Sequence, residues 1–177
     1  MMISDFLLTK ETAMAINTKT VTNRRAVRYE SLDEALADMQ QLAALDQHGK
    51  LEVLGNWTLG QAIGHVATWA EFAYQDVPLP RPPIFIRLML PLLKNRFLNK
   101  GFPAGVSIPK VEGGTLGTEP MPTSAAIEKF QTIAQRLKRE APTHPSPAFG
   151  KLTHEDGIKL QLRHAELHLS FFRPKGV

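Results

Sequence analysis

The sequence predicts an all-α fold, a four-helix bundle with a long crossover between helices 2 and 3. Four segments, opening near residues 32, 59, 124 and 154, repeat apolar residues at intervals of three and four, the period of a helix with one buried face. Each follows a polar residue able to cap it: Ser31, Thr58, Thr123 and Thr153. Between the second and third segments, Gly101 to Pro122 carries Gly, Pro and short apolar residues without a helical period. A connection that long is uncommon unless it is functional or defines the fold.

The elements follow in order. Residues 1–23 mix Thr, Lys, Asn and Ser with short apolar patches and are expected to form a poorly ordered tail ahead of one domain spanning 24–177. Arg24 to Glu30 alternates briefly and leads in extended. Ser31-Leu32-Asp33-Glu34 then reads as a capping box with acid in the first turn, and Leu32, Ala35, Leu36, Met39, Leu42, Ala43 and Leu45 mark the inner face of helix 1. Gly49 stops it. A second box, Thr58-Leu59-Gly60-Gln61, starts helix 2, which the pattern carries to about Gln75, with Gln61, His65, Thr68, Trp69 and Phe72 on one face.

Pro78 to Pro83 breaks the helix, since each proline removes a donor and biases its predecessor away from α. Ile84 to Leu98 reads as an amphipathic piece kinked at Pro91, either packed over the bundle or covering a pocket. Helix 3 runs from Ser124 to about Glu140 on Ile127, Phe130, Ile133, Ala134 and Leu137. The last helix opens at Thr153 and ends before Pro174.

Composition narrows the function. At 177 residues the chain is long enough to bury roughly 70% of its unfolded surface. It has no cysteine, so disulfides, thiolate ligands and a Cys nucleophile are excluded, which fits a cytoplasmic location. The formal charge of +4 is dispersed and aromatic platforms are few, which argues against a nucleic-acid partner. The most apolar stretch, Ile84 to Leu93, is about half the ~20 residues that a spanning helix needs, which argues against a membrane partner.

The candidate site lies in Leu160-Gln161-Leu162-Arg163-His164-Ala165-Glu166-Leu167-His168. His164 and His168, four apart, project from one helix face beside Leu160, Leu167 and Phe171, and two imidazoles so spaced can chelate one divalent ion. His65 is a third inward histidine. If helices 2 and 4 are neighbours, three neutral imidazoles meet and leave a coordination position open, the mark of a catalytic rather than a structural metal. Core histidines held by hydrogen bonds are the plainer reading. Glu166, two residues from each histidine, falls nearly opposite and is expected to face solvent. Gln61 reads as a structural amide, and His48, His144 and His154 as surface or locally bonded groups.

Asn56 to Ala67, then Phe149 to Thr153, then Arg163 to Phe172 together resemble the DinB-like superfamily, in a branch described as a domain of unknown function. The resemblance covers roughly Tyr29 to Pro174. It implies an up-down-down-up four-helix bundle, with His65, His164 and His168 binding zinc or nickel. It also implies a metal-dependent transferase or hydrolase whose partners are a small-molecule substrate or a low-molecular-weight thiol, in a chain that forms a homodimer. The catalytic residues stay unassigned, and the alternative is a non-catalytic interaction or dimerisation module with structural core histidines.

Overall fold

The computed structural model describes residues 15–79 and 83–176. Most of the expected tail and the centre of the proline break, residues 80–82, lie outside the described residues. The described chain is mostly helical: α1 Leu32–Gln47, α2 Leu59–Glu71, α3 Ile84–Leu92, α4 Lys94–Lys100, α5 Thr123–Arg139 and α6 His154–Leu169.

The local signals act largely as read. Ser31 Oγ accepts the Glu34 amide at 3.2 Å, although Glu34 reaches one residue beyond the cap, to the Glu30 amide. Thr58 and Gln61 form the full reciprocal box at 3.2 and 3.0 Å. Gly49, at φ +66, follows the end of α1 where a side chain would be strained. At the helix from Thr123 the cap position is held by Pro122, with no side-chain capping bond, which leaves Thr123 as the first helical residue.

Two differences from expectation have clear causes. α2 stops at Glu71, short of Gln75, because the Ala73 and Tyr74 amides take tighter bonds to Ala70 and Glu71, while the Ala73 carbonyl accepts the Thr143 and His144 amides. The Ile84–Leu98 piece is two helices jointed at Leu93: Pro91 has no amide to continue the ladder. α4 docks on α6 through a Lys94–Asp156 ion pair of 2.7 Å. α3 leaves Ile84, Phe85, Leu88, Met89 and Leu92 exposed, so it is not packed down over the core.

α2 packs chiefly on α5 and α6, and α1 packs on the same two helices. Their inner faces form one core from Met39 and Leu42, Ile63 and Val66, Phe130 and Leu137, and Leu162 and Leu169. A short antiparallel pair that the pattern does not predict, β1 Leu51–Val53 with β2 Phe172–Pro174, ties the end of α6 beside the exit of α1, with Leu51 opposite Pro174 and Val53 opposite Phe172. Three residues are too few to show alternation, and Pro174 signals only a helix stop.

No described helix is long and apolar enough to cross a membrane.

The segment between α4 and α5 holds a single 3-10 turn at Glu112–Gly114 and otherwise irregular backbone. Its last stretch lies along α2. Gln61 Nε2 donates to the Thr118 carbonyl at 3.0 Å, and a Cβ on Gly60 would sit 2.1 Å from the Met121 carbonyl oxygen. Gly60 therefore makes room for the backbone above it. This contact positions the site described next.

Candidate metal centre

α2 and α6 bring His65, His164 and His168 together, as their helical faces predict. The ring nitrogens converge: His164 Nε2 lies 3.1 Å from His65 Nε2 and 3.0 Å from His168 Nε2. One ligand atom from each lies within 4.8 Å of the others. His65 is buried at 2% exposure, while His164 and His168 keep part of their surface open to a cavity that all three line.

The connection from α4 fixes the chemistry of His65. Its Nδ1 lies 2.7 Å from the Leu116 carbonyl, an acceptor only, so Nδ1 carries the proton and Nε2 presents its lone pair to the cluster. Trp69 Nε1 donates to the same carbonyl at 3.3 Å. Trp57 stacks on His168 at 5.1 Å and tilts against His65 at 4.9 Å, and Trp69 meets His164 edge-on at 5.9 Å, so two indoles pack against the three imidazoles.

Burial holds His65 down to about 4, opposed by its bond to Leu116. Burial, with repulsion from the neighbouring imidazoles, holds His164 and His168 well below the ordinary histidine value. All three are therefore neutral near pH 7. A neutral cluster has a donor problem, because one proton at most can sit between each pair of nitrogens and the His65 lone pair is already committed inward. A divalent cation satisfies three lone pairs at once. Tetrahedral zinc at 2.0–2.1 Å from each ligand sets its nitrogens roughly 3.3 Å apart, within a few tenths of the two separations that His164 makes here, with all three ligand atoms inside 4.8 Å, so the residues fit the ion.

Glu166 is the exception to the sequence reading. It does point away from the histidines, but that face of α6 is covered by the extended segment before α1, and Glu166 is 8% exposed. Its Oε1 accepts the Tyr29 amide at 2.7 Å and lies 3.2 Å from Arg163 Nη2, which itself donates to the Tyr29 carbonyl at 2.7 Å. Together they hold the two peptide groups that flank the Tyr29 Cα. Burial raises the Glu166 pKa above the ordinary carboxylate value, against the pull of the Tyr29 amide and Arg28.

The remaining candidates fall as read. Gln61 is a structural amide, bonded to the cap and the connection. His154 bonds the Leu137 carbonyl, and His48 caps α1.

One residue was passed over. Gln161, three before His164 and seven before His168, shares their face, is 5% exposed and lines the same cavity. The signal is spacing on the same helix face, three and seven residues before the two histidines.

The chain is thus a helical protein with a cluster of three imidazoles at the wall of a cavity. It belongs to the family described as "Protein of unknown function (DUF1569)", whose model matches residues 21–175. No curated protein matches it, and no solved structure does.

Proposed function

We propose that this chain is a DinB-like four-helix bundle that binds one divalent metal, zinc or nickel, through His65, His164 and His168, and acts as a metal-dependent thiol transferase or hydrolase. The observation that carries the reading is the convergence of three neutral Nε2 atoms within coordination distance on a cavity wall. When bound, the ion supplies Lewis acidity towards a substrate oxygen or sulfur in the cavity.

The chain's own groups have separate tasks. The Leu116 carbonyl keeps the His65 proton on Nδ1 and orients its ring, the outer-shell arrangement common to histidine ligands. Trp57 and Trp69 pack on the imidazoles and restrict the rings. With no cysteine in the chain, a thiol nucleophile must arrive as a separate small molecule.

Elemental analysis of protein purified without an affinity tag tests the reading. Near one metal per chain is expected, lost in both His65→Ala and His164→Ala while far-UV circular dichroism stays unchanged. A parent protein that takes up neither zinc nor nickel on incubation refutes it.

A further inference from the structure

The cavity beside the three histidines has a volume of about 980 Å³, at the upper end of the range for small-molecule sites. Its wall away from the histidines is aromatic and aliphatic. Phe97 stacks on Phe102 at 5.2 Å and meets Phe149 at 5.7 Å, with Leu90 and Leu152 alongside.

Charge is nearly missing from this lining. Among the described residues that form it there is no Asp, Glu or Arg, and its one Lys, Lys110, is exposed. A charged ligand body would give up its hydration with nothing to replace it.

Within that wall Gln161 is the buried polar side chain besides His65. Gln161 is 95% withdrawn from solvent, yet its amide makes no side-chain hydrogen bond with any described residue, and it shares the cavity face of α6 with His164 and His168. A buried primary amide carries two donors and an acceptor that normally find partners. The Gln161 amide instead keeps its remaining surface at the cavity wall, where a ligand can supply them.

We infer that the cavity takes an uncharged, largely apolar small molecule whose single neutral polar group, a carbonyl or amide, is hydrogen-bonded by Gln161 next to the three histidines. This names the substrate class of the site and rests on the metal reading for the reaction, though not for binding itself. Gln161 is then a positioning residue, fixing the polar group of the ligand while the Phe97, Phe102 and Phe149 wall takes its tail.

The test uses octanamide, butanamide and 8-aminooctanamide, with binding read from Trp57 and Trp69 fluorescence, on the full chain both stripped by chelator and reloaded with zinc. Octanamide should bind saturably and at least about tenfold more tightly than butanamide, since four further methylenes leave water. The terminal ammonium of 8-aminooctanamide should cost at least about tenfold. Gln161→Leu should weaken octanamide about tenfold on the stripped protein but leave octane-1-thiol, a poor hydrogen-bonding partner, unchanged. Equal affinity for the short, long and cationic amides overturns the apolar-ligand inference, and an indifferent Gln161→Leu overturns the role of Gln161. Zinc uptake without octanamide binding sinks this inference and spares the metal reading; octanamide binding without zinc uptake does the reverse.

Discussion

Because the Leu116 carbonyl belongs to the backbone, no side-chain exchange removes it, but Gly60→Ala displaces the segment that carries it. The added Cβ falls 2.1 Å from the Met121 carbonyl oxygen and 3.0 Å from the Thr123 amide nitrogen. Ordinary C···O contacts lie near 3.3 Å or beyond, so backbone must move by about 1 Å or more. Both are backbone atoms, not a side chain that can swing aside. Alanine improves the helix propensity of α2 by about 1 kcal/mol, whereas forced repacking costs about 1–3 kcal/mol and moving backbone lies at the upper end. The net loss should be about 1–2 kcal/mol, a fall in Tm of roughly 3–8 °C for a chain of this size. Gly64→Ala is the matched control: its Cβ meets only the flexible Met121 thioether, at 3.2 Å, so the same propensity gain should appear with little penalty. Urea unfolding of both variants decides the matter. Zinc affinity should fall about tenfold in Gly60→Ala alone, as the Leu116 carbonyl leaves His65. A Gly60→Ala protein as stable as Gly64→Ala would refute the account of how the connection lies on α2.

Acid should weaken the metal-stripped protein. The folded pKa of His65, about 4, lies below its ordinary 6.5, so the unfolded chain binds the extra proton, and stability is lost as pH falls from 6.5 towards 4. At pH 5.5 this amounts to about 1.4 kcal/mol, which His65→Gln should remove from the urea midpoint shift between pH 7.5 and 5.5. Glu166→Gln should leave Arg163, 3% exposed and with Nε and Nη1 already unpartnered, as an uncompensated buried cation. A loss of about 3–5 kcal/mol is expected in chemical unfolding, with zinc stoichiometry unchanged at low denaturant, because the pair faces away from the histidines.

How much of this was legible depends on the range of the interaction. His164 and His168 declare a shared face by spacing alone, and His65 joins them because Trp69 and Phe72 repeat on its own helix. The two capping signatures at Ser31 and Thr58 are read within four residues and hold in outline. Glu166 shows the limit: its direction was right, but the extended segment covering it comes from residues 24–30, far away in sequence. Gly60 was read only as part of a cap, since its need for a bare Cα arises from the Met121 carbonyl. β1 and β2 are each too short to declare a period.

The clamp that Arg163 and Glu166 place on Tyr29 joins residues 134 and 137 apart, and Arg24 reaches Ser170 across 146. A growing chain emerges from its N-terminus, so the extended segment before α1 has no seat until Arg163, Glu166 and Ser170 have been made. His65 likewise waits for His164, 99 residues later. Contacts of such separation slow folding because loop closure precedes their reward. The imidazole cluster is therefore assembled only once His164 and His168 have been translated, and until then the apolar face of α2 depends on partners still to come.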